Sequence, residues 1–282
     1  MSHTKYSSVH GGHSGQFCSH AKDTLEEIIL KYIDFGFDWV GITEHIYPIS
    51  NELRYPDEIE ANLDVGELKN RFTNYIKTCR ELQEKYRDKI TLFVAFETET
   101  YDGYKEFILD AIQNFKPDYV VGSVHHVDNI CIDYSKEQYD MVADRVGGVD
   151  NLYCQYFDIQ YEMLKAIKPA VVGHFDLIRI FDKDYPKRLK KPDICQKILR
   201  NLELIKGQNL IMDFNLRALM KGAQEPYISA PILLEAKKMK IDVVTGDDSH
   251  GVCDIGVNMQ NGVEILRAAG FDTNFVSPSI YI

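Results

Sequence analysis

The stretch Tyr119-Val120-Val121-Gly122-Ser123-Val124-His125-His126 is a short, mainly apolar run that ends in two histidines. The same design recurs along the chain. Val40-Gly41-Ile42-Thr43-Glu44-His45, Phe93-Val94-Ala95-Phe96-Glu97, Val171-Val172-Gly173-His174-Phe175-Asp176 and Val243-Val244-Thr245-Gly246-Asp247-Asp248-Ser249-His250 each close on a histidine or carboxylate, and Val9-His10-Gly11-Gly12-His13 opens the chain likewise. Continuous apolar runs of this length, separated by helical patterns, read as parallel strands buried on both faces. Each then carries its polar residue to the C-terminal end of a strand, where alternating strand–helix proteins build their sites.

The segments between these runs have helical period. Asp23-Thr24 offers a cap for a helix through Ile33, which Gly36 stops. Leu68, Phe72, Tyr75, Ile76, Cys79, Leu82 and Tyr86 fall on one face of a long amphipathic helix over Val65–Arg87. Helical patterns follow over Tyr104–Phe115, about Ser135 to Ile167, Ile194–Ile205, Ala230–Met239 and Asn261–Ala269, with strands at Ala170–His174, Leu210–Asn215 and Ile241–Gly246 between them. Repeated strand–helix units without an antiparallel block favour a parallel α/β barrel. An open sheet gathers its site at one switch point, whereas here candidate ligands arrive from nearly every strand.

At 282 residues without a break in composition, the chain fits one domain, residues 1–282. A formal net charge of -11 argues against a nucleic-acid partner, which basic patches would recruit. Six scattered cysteines without CxxC pairs read as reduced thiols of a cytoplasmic protein, and Cys18 among them as a packing residue. No apolar run approaches the ~18 residues of a membrane span, and no signal-peptide h-region is evident.

Neutral imidazole and carboxylate are ligands for zinc, iron and manganese. A buried polar group at a strand end is costly unless it is paired or bound to a cation, and here such groups recur on strand after strand. Glu97 has the character of a bridging carboxylate, because a carboxylate can bind two cations. Several divalent ions close together suit phosphate-ester hydrolysis by a hydroxide generated at the metals. A small-molecule phosphate ester is the expected partner, and a monomer or homodimer the expected state.

His13-Ser14-Gly15-Gln16-Phe17-Cys18, Thr43-Glu44-His45, Phe96-Glu97, Gly122-Ser123-Val124-His125-His126, Val172-Gly173-His174-Phe175-Asp176-Leu177, Phe214-Asn215, Glu225-Pro226-Tyr227 and Asp247-Asp248-Ser249-His250-Gly251 together cover essentially the whole chain. In these motifs the sequence resembles the PHP (polymerase and histidinol phosphatase) superfamily, and within it is similar to the monofunctional, yeast-like histidinol-phosphate phosphatases. The resemblance implies a distorted (β/α)7 TIM-like barrel holding two to three divalent ions (Zn, Fe or Mn), and hydrolysis of L-histidinol phosphate. It implies one metal set of His10 or its neighbourhood, His13, Glu97 and Asp248, a second of Glu97, His125 and His174, and a third of His20, His45 and His250. His3 falls outside these sets.

The superfamily opens on His-x-His, whereas this chain has His10-Gly11-Gly12-His13, so a rigid alignment from His13 puts Gly11 at the first ligand position. A bulge permitted by the glycines is expected to bring His10 into place. By the same resemblance Arg179 is the first choice for a phosphate clamp. Arg217 and Lys221, which follow the strand ending at Asn215, are second choices with an equal claim to be surface charges, and Asn215 itself joins the substrate-binding set. The acid that protonates the leaving alkoxide has three candidates: His126, Asp176 and a metal-bound water. Tyr55, Tyr101 and Asp128 lie on loops that could meet the leaving group. A PHP enzyme acting on another phosphomonoester or a nucleotide, and a non-catalytic metal-binding module, are the two competing readings.

Overall fold

In the computed structural model, which describes residues 6–281, strands β1 (Tyr6–Ser8), β2 (Phe37–Ile42), β3 (Thr91–Glu97), β4 (Tyr119–Gly122), β5 (His126–Val127), β6 (Ile130–Cys131), β7 (Val171–Val172), β8 (Ile211–Asn215) and β9 (Val243–Gly246) follow one another along the chain. His3 lies outside the described residues. Seven strands pair in the order β1-β2-β3-β4-β7-β8-β9, and every pairing is parallel. The last strand returns to the first: Val9 N donates to Thr245 O (3.0 Å) and the Thr245 hydroxyl to Ser7 O (2.7 Å). The result is a nearly closed seven-stranded barrel of the TIM-like type, as the sequence implied.

The two-residue period of a strand sorts the side chains. Trp39, Phe93, Ala95, Tyr119, Val121, Val171, Ile211 and Val244 pack together inside the barrel, while Val40, Leu92, Val94, Phe96, Val120 and Met212 face the surrounding helices. Tyr119 spans the interior, donating from Oη to Val9 O at 2.6 Å. Gly41 makes room for it, since a Cβ there would lie 1.5 Å from that oxygen.

Local signals set the outer layer. The helix Leu25–Phe35 begins at a reciprocal Thr24–Glu27 capping box and ends at Gly36 with φ +90°, and the helix Val65–Tyr86 begins at an Asp64–Glu67 box. One expectation fails locally. After β4 the chain makes an antiparallel hairpin, β5-β6, around Asp128 and Asn129, both at positive φ (54° and 60°). At two residues per strand, its pattern is too short to show periodicity.

The bulge that should admit His10 is also elsewhere. The register of β1 shifts between Tyr6 and Ser7, and neither Gly11 nor Gly12 takes a positive φ. These glycines serve close approach instead: a Cβ on Gly11 would lie 2.3 Å from Gly41 O, and one on Gly12 2.9 Å from Ile28 Cγ2.

Candidate metal centre

The alternation that fills the barrel also aims its polar rim. Glu97 continues the inward parity of Phe93 and Ala95, and Asp213 that of Ile211, so both carboxylates rise from the barrel interior at its C-terminal mouth. Glu97 is only 1 % exposed, and imidazoles from four strand ends converge on it. Its Oε1 lies 3.0 Å from His125 Nε2 and 2.8 Å from His174 Nε2. Its Oε2 lies 3.3 Å from both His10 Nε2 and His45 Nδ1. His10 therefore reaches the centre despite the extra residue in its motif.

Behind this ring stands a second tier of carboxylates. His10 Nδ1 meets Asp213 Oδ2 at 2.9 Å and His125 Nδ1 meets Asp133 Oδ2 at 3.2 Å, so each ring turns Nε2 inward. Glu44, which accepts from Ser14 N (2.7 Å) and the Ser14 hydroxyl (2.8 Å), stands 3.6 Å from His13 Nδ1. The other nitrogen of His13 is 3.3 Å from Asp248 Oδ1. A carboxylate on one imidazole nitrogen with the other left for coordination is the usual support of a metal-binding histidine.

The donor atoms pass a direct test for cations. His10 Nε2, both nitrogens of His13 and His174 Nδ1 are buried without a hydrogen-bond partner, and such an atom costs about 1–3 kcal/mol unless something satisfies it. Potential donors of His10, His13 and Glu97 lie within 4.8 Å of one another, as do those of Glu97, His125 and His174 and of His13, Asp248 and His250. The second predicted set is thus brought together, and the first save for Asp248, which groups with His13 and His250. The third is looser: His20 lies with its ring 4.8 Å from that of His250 and 5.4 Å from that of His45, but its tightest donor grouping is with His13 and Cys18.

Electrostatics point the same way. Burial alone would lower the His10 and His13 pKa values, yet the carboxylates outweigh it: Glu97, Asp248 and Asp213 raise His10 well above its ordinary value, and Asp248 and Glu44 raise His13 to about 9. Burial would likewise raise Glu97, but His10, His45 and His125 hold it well below the usual carboxylate range. The barrel mouth is a strongly cation-attracting place. At His250 burial wins, lowering its pKa to about 3 and leaving a neutral ring able to ligate.

The residues expected to meet substrate divide into two groups. A cavity of about 270 Å³ opens over His45, Glu97, His125, His174, Asp248 and His250, and Arg217, Lys221, Tyr55, Asp57, Tyr134 and Tyr227 complete its wall. Lys221 is exposed and its side chain makes no hydrogen bond or ion pair among the described residues, whereas Arg217 is paired with Asp254 at 2.7 Å. Arg179, Asp176 and Asn215 are engaged with other groups of the protein. Arg179 Nη2 donates to Glu225 O (2.9 Å) and Pro226 O (2.7 Å), its guanidinium lies 4.9 and 4.5 Å from the ring centroids of Tyr185 and Tyr227, and its Nε is 3.2 Å from Asp176. It borders an adjoining cavity that shares Asp133, Tyr134, Lys221 and Tyr227 with the first.

Asp176 is fully buried and accepts from the Ser229 amide and hydroxyl. Asn215 is equally buried, donating to Asp213 (3.0 Å) and Asp248 (3.1 Å) and accepting from Arg217 N. Its role is to hold the carboxylates. His126 lies outside the 270 Å³ cavity wall, with Nδ1 3.1 Å from Glu99 Oε2 and its ring against Tyr55 and Tyr101.

Sequence reasoning did not single out Glu99, which meets His45 Nδ1 (3.1 Å) and the Tyr55 hydroxyl (2.9 Å), nor the supporting roles of Asp213, Asp133 and Glu44. Asp213 carried a usable signal, a charge in the middle of a fully buried strand. Asp133 carried none, because only the β5-β6 hairpin folds it back onto His125.

Residues 2–217 match the PHP domain family. A protein from Schizosaccharomyces pombe named "Probable histidinol-phosphatase" is 33% identical over 92% of this chain and 85% of its own length. The "Histidinol-phosphatase" of Saccharomyces cerevisiae is 29% identical over 88% and 84% respectively. The crystal structure of a histidinol phosphate phosphatase from Lactococcus lactis, complexed with Zn, L-histidinol and phosphate, superposes with a TM-score of 0.71 at 16% identity, covering 99% of each chain, and shares the fold.

Proposed function

Because this chain belongs to the PHP domain family, we propose that it hydrolyses L-histidinol phosphate to L-histidinol and phosphate, a phosphomonoesterase step of histidine biosynthesis. The observation that carries this reading is Glu97, buried at the barrel mouth with imidazoles of His10, His45, His125 and His174 within 3.3 Å, at the floor of an open cavity. The names of its relatives supply the substrate.

Two to three divalent ions, zinc, iron or manganese, fit these residues: His10, His13, Glu97 and Asp248 for one, Glu97, His125 and His174 for a second, and His20, His45 and His250 for a third. When bound, such ions acidify a coordinated water and neutralise the charge of a transferring phosphoryl group. The protein's own part is geometric and electrostatic. Asp213 and Asp133 fix the His10 and His125 rings with their outer nitrogens engaged, so these need no reorganisation as charge develops. Lys221 offers a free ammonium at the cavity wall for the phosphate, with Arg217 beside it. Asp57, Tyr55 and Tyr134 in the same cavity wall suit the imidazole and ammonium groups of the leaving alcohol.

Phosphate release from L-histidinol phosphate, measured against a panel of phosphomonoesters and nucleotides, tests the proposal. A marked preference for histidinol phosphate is expected. A flat profile would overturn the substrate, and no release from any ester with zinc or manganese supplied would overturn the reaction class.

A further inference from the structure

Cys18 stands beside the third histidine set, and the mechanism above gives it no work. Its backbone is fixed by a tight turn in which Phe17 N and Cys18 N both donate to Ser14 O, at 3.1 and 2.9 Å. The thiol sulfur lies 3.1 Å from His20 Nε2 and 3.2 Å from His20 Nδ1. A sulfur almost equidistant from both ring nitrogens lies along the in-plane lone pair or N–H of neither, so this is not a directional hydrogen bond. The donor atoms of His13, Cys18 and His20 lie within 4.8 Å of one another, and both nitrogens of His13, a residue with no exposed surface, lack hydrogen-bond partners. In a tetrahedral zinc site with Zn–S of about 2.3 Å and Zn–N of about 2.0–2.1 Å, neighbouring donors stand roughly 3.5 Å apart. Cys18 Sγ, 3.1–3.2 Å from the His20 nitrogens, stands near that spacing, and the exposed His20 ring has only to turn a lone pair toward the position shared with His13.

We propose that Cys18 is a thiolate ligand of the ion held by His20, adding sulfur to a set otherwise built of imidazoles. The inference rests on the metal-dependent reading above. Binding releases the thiol proton to solvent as the S–metal bond forms. A single soft ligand also gives this position a preference: thiolate favours zinc over manganese, while the sites around Glu97, built of imidazole and carboxylate, discriminate less. Cys131 differs, because its thiol is already engaged, donating to Asp133 Oδ1 at 3.1 Å.

The test is cobalt(II) titration of the chelator-stripped full chain. The wild type should develop a near-ultraviolet sulfur-to-cobalt charge-transfer band together with visible d–d bands. The charge-transfer band should vanish in both Cys18→Ser and Cys18→Ala and persist in Cys131→Ser, with the d–d bands of the remaining ions kept in all of them. Cobalt uptake with d–d bands but no charge-transfer band in the wild type, or a band that survives in Cys18→Ala, overturns the proposal and leaves the metal-dependent reading standing. No cobalt uptake at all overturns both. Alkylation mapped by mass spectrometry gives a second readout on unmutated protein: zinc should slow iodoacetamide labelling of Cys18 by about tenfold or more without changing that of exposed Cys253. Equal labelling rates at Cys18 with and without zinc overturn the proposal.

Discussion

Asp213→Asn probes how the barrel interior controls the centre. Asp213 Oδ2 accepts from Asn215 Nδ2 (3.0 Å), lies 3.3 Å from His174 N and holds His10 Nδ1 at 2.9 Å, so one carboxylate orients residues from three strand ends. The amide keeps the shape but removes the charge, and its NH₂ either meets the three donors that already converge on Oδ2 or takes the Oδ1 position. Loss of such a supporting carboxylate typically costs 10–100-fold in metal affinity or activity, which is about 1.4–2.7 kcal/mol at 1.36 kcal/mol per decade. The folded state should suffer too, by about 1–3 kcal/mol, because an amide nitrogen placed at the unpartnered, buried Oδ1 position finds no acceptor. Zinc affinity by chelator competition, with urea unfolding of the metal-free chain alongside, separates the two effects. Asp118→Asn is the control, since Asp118 accepts from Arg80, Gln83 and Val94 N near the start of β4 and should change stability alone. Wild-type zinc affinity in Asp213→Asn, or an equal loss in the Asp118 variant, would refute the argument that Asp213 acts through His10.

Three further outcomes follow from the same geometry. Lys221→Met should lower kcat/KM for the phosphate ester by roughly 10- to 150-fold, the worth of one charged hydrogen bond of about 1.5–3 kcal/mol, while leaving urea unfolding unchanged because the side chain is exposed; Arg179→Met should instead destabilise the fold by about 3–5 kcal/mol, since it strands buried Asp176. Gly41→Ala should cost about 1–3 kcal/mol or more in chemical unfolding, as the new methyl would meet Tyr119 Oη; an unchanged midpoint would mean that the tyrosine does not occupy the barrel as described. Metal affinity, followed by calorimetry, should fall as pH drops below about 9, because the metal must displace the proton that Asp248 and Glu44 hold on metal-free His13; saturating zinc at ~100 times its Kd should raise the unfolding free energy by about 2.7 kcal/mol, and a melting temperature indifferent to zinc would count against the centre.

The parallel barrel was legible because its strands are buried on both faces. Runs such as Phe93–Phe96 and Val171–Val172 are then continuous in hydrophobicity, and the polar residue closing each run marks the strand's C-terminal end. The residues gathered at the centre, His10, His13, His45, Glu97, His125, His174, Asp248 and His250, were legible for the same reason. What the chain cannot display in one dimension is which nitrogen of each ring turns inward. At His10 and His125 that depends on Asp213 and Asp133, which lie 203 and 8 residues away, and contacts across such separations leave no periodic trace.

Arg179 shows the limit from the other side. By resemblance Arg179 is expected to clamp the phosphate; the backbone carbonyls of Glu225 and Pro226 take its Nη2, and only the folded loop reveals that engagement. Strand type and strand-end chemistry are written locally, through burial and alternation, so the sequence by itself determined the barrel and its ligand-rich rim. Tertiary packing alone decided the rest: His10 reaches Glu97 as Gly11 lets the Gly41 carbonyl, and Gly12 the Ile28 side chain, approach within a Cβ radius, and the Lys221 side chain is left unpaired where Arg179 is held. Each of these is a matter of which groups exclude one another in space, and exclusion is set by partners distant in the chain.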